Sequence, residues 1–240
     1  GEILATNRNE SDYSMHAISY VAIEEEKVNI AKADCSEKDA MTLVEDVIDK
    51  LGLKDWKICN VVNETGDACC HTFSFTRYYG DIPTITGMEI DLQSDDLYAS
   101  NLYYEELGIT VENGKITRVG WYSPMDVIEE ENTNVKTLSF DEVYECFKSQ
   151  MQSQYSKRTY LENGWLLDEN YEEAEIAILV NKIEEGMFRV KIKDSTEEYR
   201  MIPVWVFRGI TTVKGIGSME ENYVVINAID GSIINPTLGY

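Results

Sequence analysis

Two stretches decide the fold: Val111-Glu112-Asn113-Gly114-Lys115-Ile116 and, later in the chain, Ala228-Ile229-Asp230-Gly231-Ser232-Ile233. Each is an apolar run interrupted by an Asn-Gly or Asp-Gly pair, which favours a tight β-hairpin because these residues tolerate a positive φ. Each stretch follows, at a comparable distance, a capped amphipathic helix and a block of β-rich sequence. The sequence therefore predicts two copies of one α-then-β unit, each of which closes on a hairpin.

The first unit begins with a well-marked helix. Ser36 can cap its N-terminus, Asp39 is the weaker partner of a capping box, and Gly52 ends the helix. Its apolar stripe repeats at helical spacing through Ala40, Leu43, Val44, Val47, Ile48 and Leu51. Three strands are then expected, over residues 53–62, 70–79 and 85–92. The first hairpin completes the unit near Trp121.

A second unit follows a charged linker. Residues 129–134 hold no run of apolar side chains, and Ser139 with Glu142 forms a capping box at the start of the next helix. The apolar stripe of that helix comprises Phe140, Val143, Tyr144, Phe147 and Met151. Strands are expected over residues 175–182, 188–193 and 199–212, and the closing hairpin over 223–234. Pro203 cannot donate to a sheet ladder, so its place inside the third strand predicts a bulge or a sheet edge.

The order of these elements predicts the fold class. A helix followed by hairpin-linked strands indicates an antiparallel sheet with the helix packed on one face, so the class is α+β. We expect two tandem units of this kind, over residues 35–128 and 138–240, joined by a linker over 129–137. Residues 1–34 are expected to form an N-terminal tether and a first strand.

The charge balance excludes several classes of partner. The chain has 44 acidic and 21 basic residues and a formal net charge of -23, which repels nucleic acid and anionic lipid. No stretch approaches the roughly 20 apolar residues that a membrane helix needs. The chain opens on Gly1 and continues with polar residues typical of the tether behind a secretion signal. We therefore expect an extracytoplasmic protein, lipid-anchored or secreted, whose leader has been removed.

The sequence offers no catalytic motif. Its five cysteines show no repeated spacing, and a bridge from Cys59 to Cys69 or Cys70 is the alternative to free thiols. Cys69-Cys70-His71 comes nearest to a metal cluster, but adjacent cysteines chelate one ion poorly, so no metal and no cofactor are expected. Cys70 and His71 would be strand neighbours that point to opposite faces, so they cannot form a catalytic pair.

The closing strands carry a resemblance to a known family. They read Ile202-Pro203-Val204-Trp205-Val206-Phe207 and Val225-Ile226-Asn227-Ala228-Ile229-Asp230-Gly231-Ser232-Ile233-Ile234. This pattern resembles the PepSY-like repeats of bacterial extracytoplasmic proteins, and it is similar to the duplicated α+β domains of YycH and YycI, regulators of a cell-wall sensor kinase in Firmicutes. The match covers residues 138–235, and residues 36–121 by internal analogy. The resemblance implies a non-catalytic module outside the membrane that binds or restrains a partner protein.

Two surface features are candidate binding sites. Basic residues gather in the second unit, and several would share one outer sheet face as a positive patch for an acidic partner segment or an anionic wall polymer. This expected face comprises Arg189, Lys191, Lys193, Arg200 and Arg208. An aromatic group suited to sugar or protein contact comprises Tyr98, Tyr103, Tyr104, Trp121 and Tyr122. The alternatives are an ordinary solvated sheet face for the first feature and core or half-buried positions for the second.

These observations together predict a function. We expect a non-catalytic extracytoplasmic module, and so not an enzyme, that binds or regulates a partner protein at the bacterial cell envelope. The first alternative is a carbohydrate- or wall-polymer-binding lipoprotein that uses the aromatic group or the basic face. The second is a carboxylate-dependent hydrolase, because a chain with 44 acidic residues brings some carboxylates close together.

Overall fold

The computed structural model has an α+β fold in which the described residues form two antiparallel sheets and two helices. The structure describes residues 2–7, 16–21, 35–65, 69–86, 105–154, 175–193, 195, 198–214, 217–236 and 239. The chain divides into two compact units, Gly1–Glu129 and Glu130–Tyr240, which we call unit 1 and unit 2.

Unit 1 contains one helix and seven strands in its described part. In chain order they are β1 (Glu2–Asn7), β2 (His16–Val21), α1 (Glu37–Leu51), β3 (Trp56–Thr65), β4 (Cys69–Tyr79), β5 (Ile82–Pro83), β6 (Glu106–Glu112) and β7 (Lys115–Tyr122). The sheet runs β1-β2-β7-β6-β4-β3, with β5 paired to β4.

The sequence explains where α1 begins and ends. Ser36 Oγ accepts a hydrogen bond from the backbone N–H of Asp39 at 3.2 Å, and Gly52 takes the left-handed conformation at the C-cap, with φ 73°. The buried stripe, with members four residues apart, comprises Ala40, Val44 and Ile48. It packs into a core with buried side chains of β4 and β6, among them Phe73 and Ile109.

Unit 2 contains one helix and four strands in its described part. They are α2 (Phe140–Gln154), β8 (Ile176–Lys191), β9 (Tyr199–Val213), β10 (Gly217–Asn227) and β11 (Ile233–Ile234). The sheet runs β11-β10-β9-β8. The predicted capping box is present, since the backbone N–H of Ser139 donates to Glu142 Oε2 at 2.8 Å and that of Glu142 to Ser139 Oγ at 3.4 Å.

Both faces of the unit 2 sheet carry buried side chains. On one face, α2 packs Val143 and Phe147 into a core with Phe207 and Ile226, and the rings of Phe147 and Phe207 stack with centroids 4.2 Å apart. The opposite face carries the buried side chains of Phe188, Ile202, Val204, Val206, Val225 and Ile234. Burial on both sides accounts for the almost continuous apolar sequence of β9.

The two predicted hairpins are present, but they are built differently. Asn113 (φ 50°) and Gly114 (φ 75°) form a two-residue loop between β6 and β7, with both residues in the left-handed region. In the second hairpin the backbone N–H of Asn227 donates to the carbonyl of Ser232 at 2.9 Å, which encloses a longer loop. Within that loop only Gly231 has a positive φ, of 77°. The second Asp-Gly pair therefore ends a turn rather than forming one.

Strand β8 corrects a predicted break. The sequence predicts two strands, over residues 175–182 and 188–193, whereas the structure has one 16-residue strand. It pairs with β9 along its whole length, with a bulge between Val180 and Lys182. The acidic residues in the middle fit because Glu184 forms ion pairs with Lys182 and Arg208, at 2.9 Å each.

Pro203 lies in β9 without a bulge. It is in register with Met187 of β8 and lies just beyond the last β10 pair, Val204 with Asn227. Its carbonyl accepts a hydrogen bond from the backbone N–H of Ala228 at 2.9 Å. Because the N and O of a strand residue face the same side, the missing donor faces the end of the β10 ladder and not β8. The proline is tolerated because it stands where one ladder ends.

Two further predictions for unit 1 can be compared with the structure. Residues 2–7, within the stretch predicted as a tether, form β1 and pair with β2. A strand is predicted over residues 85–92. Residues 85 and 86 are not in a strand, and residues 87–92 lie outside those described. The short strand β5 lies just before this position.

Candidate functional site

The five predicted basic residues do not share one face. In the register of β8 with β9, Arg189 and Lys191 lie on the face that α2 covers, whereas Arg200 and Arg208 lie on the opposite face. Lys193 follows the end of β8. The expectation of a single positive face is therefore wrong, because the strand register separates its members.

Two of the arginines are engaged by carboxylates of unit 2. Arg200 donates from Nε and Nη2 to Glu131 Oε1, at 3.1 Å and 2.9 Å. Arg208 forms an ion pair with Glu184 at 2.9 Å. These contacts place an opposite charge next to each cation, so the positive potential that the sequence predicts there is largely cancelled.

The other two basic strand residues are Arg189, which is buried, and Lys191, which is half-buried. The guanidinium carbon of Arg189 lies 5.1 Å from the ring centroid of Tyr199. Burial lowers the pKa of Lys191, and the charge of nearby Arg189 lowers it further. Arg189 and Lys191 therefore contribute to the packing of the sheet as well as to its charge.

The predicted aromatic group is divided as well. Three members lie outside the described residues: Tyr98, Tyr103 and Tyr104. Trp121 belongs to the core of unit 1, edge-on to Trp56 with ring centroids 5.9 Å apart, and its indole N–H donates to Glu105 at 3.3 Å. The hydroxyl of Tyr122 accepts a hydrogen bond from Arg118 at 3.0 Å. Trp121 is therefore half-buried against the core of unit 1.

Unit 2 presents an exposed apolar surface that sequence reasoning missed. Phe140 and Tyr144 of α2 are each 41% exposed, and their rings stack with centroids 5.9 Å apart. Phe140 also lies 5.4 Å, centroid to centroid, from the half-buried Trp205 of β9. Ile183 of β8 is 42% exposed on the same sheet face, opposite Phe207. We call Phe140, Tyr144, Ile183 and Trp205 the aromatic surface.

The aromatic surface arises because α2 buries only part of its apolar stripe. The sequence predicts all five stripe residues to be buried, but the structure buries Val143 and Phe147 and leaves Phe140 and Tyr144 exposed. The buried pair occupies one side of the apolar arc and the exposed pair the other. An apolar arc that extends beyond the contact of a helix with its sheet is a signal that a sequence can reveal.

Acidic side chains border this surface. Asp141 and Glu145 are exposed on α2, and Glu185 is exposed opposite Trp205 in the β8–β9 ladder. Lys148 pairs with Glu145, and its ammonium nitrogen lies 5.1 Å from the centroid of the Tyr144 ring. The border therefore combines three carboxylates with one lysine.

Unit 1 brings a thiol, an imidazole and an amide together. Cys69 and His71 lie two residues apart on β4, so their side chains share a face. Cys69 Sγ lies 3.2 Å from His71 Nε2, and Asn63 Oδ1 lies 2.7 Å from His71 Nδ1. Asn63 Nδ2 in turn donates to Glu37 Oε2 at 2.8 Å. We call Cys69, His71 and Asn63 the thiol–imidazole site.

Sequence reasoning missed this site because it compared His71 with the wrong cysteine. Cys70 is adjacent to His71 and faces the other side of β4, whereas Cys69 shares the face of the ring. The Cys-x-His spacing was therefore the available signal. Asn63 is brought opposite His71 by the pairing of β3 with β4, which no local pattern predicts.

The backbone carbonyl of Cys35 lies next to both Cys69 and His71. It accepts a hydrogen bond from Cys69 Sγ at 2.7 Å and lies 3.0 Å from His71 Nε2. Burial raises the pKa of the Cys35 thiol, and neighbouring Cys69 raises it further. None of the five cysteines, all of which are described, is in a disulfide, so the structure does not contain the alternative bridge from Cys59 to Cys69 or Cys70.

Arg77 and Glu105 form a largely buried ion pair in unit 1. Glu105 Oε1 accepts three hydrogen bonds, from Arg77 Nη2 at 2.9 Å, from the Met125 N–H at 2.9 Å and from the Trp121 indole at 3.3 Å. Burial raises the pKa of Glu105. The next residue, Glu106, is exposed, so these two carboxylates face apart and do not form the facing pair that a hydrolase needs. Glu105 is a structural residue.

The residues that the structure describes contain neither a metal-binding cluster nor a membrane-spanning helix. Within them, no three His, Cys, Asp or Glu side chains gather closely enough to hold a metal ion. Neither α1 nor α2, the helices of the described part, is long and apolar enough to cross a membrane.

Comparisons with known proteins include a similar solved structure. No family model matches the sequence, and no curated protein matches it. An uncharacterized protein from Eubacterium rectale ATCC 33656, solved at 1.45 Å resolution, is similar with a TM-score of 0.49 and 16% sequence identity. The match covers 83% of this chain and 56% of that chain, so this chain spans little more than half of that protein's length.

Proposed function

We propose that this chain is a non-catalytic binding or regulatory module that acts on a partner protein at the bacterial cell envelope. The observation that supports this proposal is the aromatic surface of unit 2. Contiguous apolar side chains that remain exposed on a folded protein are typical of contact sites. Aromatic side chains contribute strongly to such contacts because each buries a large area and loses little conformational freedom.

The border of the surface indicates the chemistry of the partner. Because the exposed residues Asp141, Glu145 and Glu185 lie on the same helix and strand as apolar side chains of this surface, a matching segment would carry apolar residues flanked by Lys or Arg. The net charge of -23 would also speed the approach of a basic partner. The partner surface is therefore the opposite of the acidic segment that the predicted basic face would have required.

We also propose a more specific architecture for the two units. We take the two units as degenerate copies of one PepSY-like unit, each with its helix on an antiparallel sheet. The pattern of the closing strands supports this interpretation. The resemblance supports a location outside the cytoplasm, as a secreted or lipid-anchored protein.

A second candidate function uses the same side chains. Exposed rings such as Phe140 and Tyr144 also stack on sugars, which favours a carbohydrate- or wall-polymer-binding lipoprotein. The partner protein is preferred because the acidic border would repel an anionic wall polymer. A carboxylate-dependent hydrolase stays a prediction without a supporting carboxylate pair among the described residues.

The test is a cross-linked pull-down from membrane and wall extract of the native host, with the full chain as bait. The surface variant is F140S/Y144S. The matched control is L43S/L51S, which removes two exposed apolar side chains from α1 of unit 1. We expect the native chain and the control to enrich the same protein, and the surface variant to lose it.

The captured protein is then purified and its affinity measured by calorimetry at low and high salt. An affinity that the surface variant loses and that weakens with salt supports the proposal. Equal binding by the surface variant, or enrichment of no protein, would overturn it. Enrichment of glycan alone, lost in the surface variant, would establish the second candidate instead.

A further inference from the structure

We propose that Cys69 is a nucleophilic thiol that exchanges with low-molecular-weight disulfides, with His71 as its base and Asn63 as the residue that positions the ring. The site lies in unit 1 and does not depend on the partner surface proposed for unit 2. The inference follows from the hydrogen bonds that determine the proton positions around His71.

Glu37 determines which nitrogen of the ring carries a proton. The Glu37 carboxylate only accepts hydrogen bonds, so the group that faces it must be the amide nitrogen of Asn63. The amide oxygen of Asn63 therefore faces His71 Nδ1, at 2.7 Å, and Nδ1 must carry a proton to donate. In the neutral ring, Nε2 is then the free acceptor, and it faces the Cys69 sulfur at 3.2 Å.

The Cys35 carbonyl can accept a hydrogen bond both before and after transfer of the thiol proton to the ring. Before transfer, the Cys69 thiol can donate to this carbonyl at 2.7 Å, while the lone pair of Nε2 points at the same oxygen from 3.0 Å. After transfer, Nε2 carries the proton and can donate to the Cys35 oxygen, so this oxygen keeps a donor while the thiolate is left beside it. The resulting thiolate is the nucleophilic form of cysteine.

If solvent exposure alone determined reactivity, Cys59 would be the most reactive of the five thiols. Cys59 is exposed, but its sulfur donates to the backbone carbonyl of Ser74 at 3.3 Å. Cys35 is buried, and burial raises its pKa, which favours the unreactive thiol form. Cys69 is half-buried and lies against an imidazole. A small disulfide is therefore the class of reagent that fits this site.

The exchange balances without any group beyond the disulfide itself. The Cys69 proton passes to His71 Nε2, and the thiolate attacks one sulfur of the small disulfide. The sulfur–sulfur bond of the reagent breaks as a new one forms to Cys69. The leaving thiolate takes the proton from the imidazolium. Cys69 is oxidised to a mixed disulfide, and one equivalent of small thiol is released.

Dithiodipyridine, a neutral aromatic disulfide, is a suitable probe because the acidic chain does not repel it. The full chain is treated with less than one equivalent, and the modified cysteine is identified by peptide mass spectrometry. We expect Cys69 to be modified before the more exposed Cys59. H71Q should lower the Cys69 rate about tenfold or more at neutral pH, because it removes the base.

Two controls separate reactivity from folding. The H16Q variant replaces the only other histidine in the sequence and should leave the Cys69 rate unchanged. The Cys59 rate within each variant reports on the fold, since unfolding would raise the rates of all five thiols together.

N63A removes the positioning residue while leaving the thiol and the base in place. It should lower the Cys69 rate severalfold and alter its pH profile, a change that loss of packing alone would not produce. Modification of Cys59 ahead of Cys69 in the native chain would overturn the proposal. So would an unchanged Cys69 rate and pH profile in N63A, even if H71Q failed to fold.

Discussion

Unit 1 and unit 2 each contain one helix and antiparallel strands in their described part, but the chemistry of their interiors differs. Unit 1 buries polar groups beside its apolar core, including Glu105 and His71, and each has several partners. The α2 core of unit 2 consists of apolar and aromatic side chains, and its buried hydroxyls, of Thr211 and Tyr223, hydrogen-bond each other at 2.9 Å.

The difference between the two interiors indicates which unit is expected to be reactive and which is expected to bind a partner. A buried polar group is tolerated only when its partners are complete, so unit 1 holds its thiol, imidazole and carboxylate in fixed positions. Unit 2 has an apolar interface between α2 and its sheet, and the apolar side chains that this interface does not cover form the aromatic surface. Reactivity is therefore expected in unit 1 and partner contact in unit 2.

The largest expected effect concerns the core of unit 2. Phe207 is completely buried and stacks on Phe147, so F207A should lower the free energy of unfolding by about 3–5 kcal/mol. The control F140A truncates a ring of the exposed surface and should cost less than about 1 kcal/mol. Urea unfolding followed by circular dichroism measures both. Equal losses would show that Phe140 is a core residue and that the two sides of α2 do not differ.

The next effect concerns the ion pair of unit 1. E105Q removes the charge that faces Arg77, which is itself largely buried, so we expect a loss of about 2–3 kcal/mol. E106Q, at the exposed neighbouring position, should stay within about 0.5 kcal/mol of the native chain. Urea titration of both variants tests this. A neutral E105Q would mean that the interior of unit 1 tolerates polar changes as readily as a surface does.

The two hairpin glycines offer a smaller, direct comparison. Both have a positive φ, so replacement by alanine should cost about 1 kcal/mol at each position. G231A should cost about 1 kcal/mol more, because its Cβ would lie 3.0 Å from Cys146 Sγ, whereas that of G114A would lie 3.9 Å from Cys35 Sγ. Thermal unfolding of both variants measures the difference. Adding C146A should reduce the excess cost of G231A, and no reduction would contradict the contact.

The smallest effect is a pH dependence found in one hairpin alone. Hydrogen bonds from the Ser232 side chain and backbone lower the pKa of Asp230 below its ordinary value of 3.8. A carboxyl whose pKa is lowered by folding stabilises the folded state above its unfolded pKa, and this contribution is lost as the pH falls through the folded pKa. The stability deficit of D230A should therefore shrink on acidification. N113A, at the corresponding Asn-Gly pair, should show no such trend in unfolding measured across acid pH.

Local structure was the predictable part of this protein. The caps of α1, the capping box of α2 and the two hairpins depend on residues within a few positions of each other, so the sequence contains the whole interaction. The break predicted in β8 was wrong for the converse reason. Glu184 fits inside a strand only because Lys182 and Arg208 lie beside it, and the position of Arg208 depends on pairing with β9.

The candidate sites were less predictable because they depend on register and on helix orientation. The alternation of residues along a strand gives two faces, but only the register tells which residues of neighbouring strands meet. Arg200 and Arg208 thus lie apart from Arg189 and Lys191. By the same principle Asn63 lies opposite His71, which no spacing along the chain indicates.

The α+β class, the helix ends, the turns at Asn113-Gly114 and Asp230-Gly231 and the acidic character follow from the sequence alone, because they depend on residues close together in the chain and on composition. Tertiary structure alone decided which polar residues meet and which apolar residues remain exposed. Cys69 gains its neighbours Asn63 and the Cys35 carbonyl through the packing of separate segments. The rings of Phe140 and Tyr144 are exposed because α2 covers only part of what its sequence could bury.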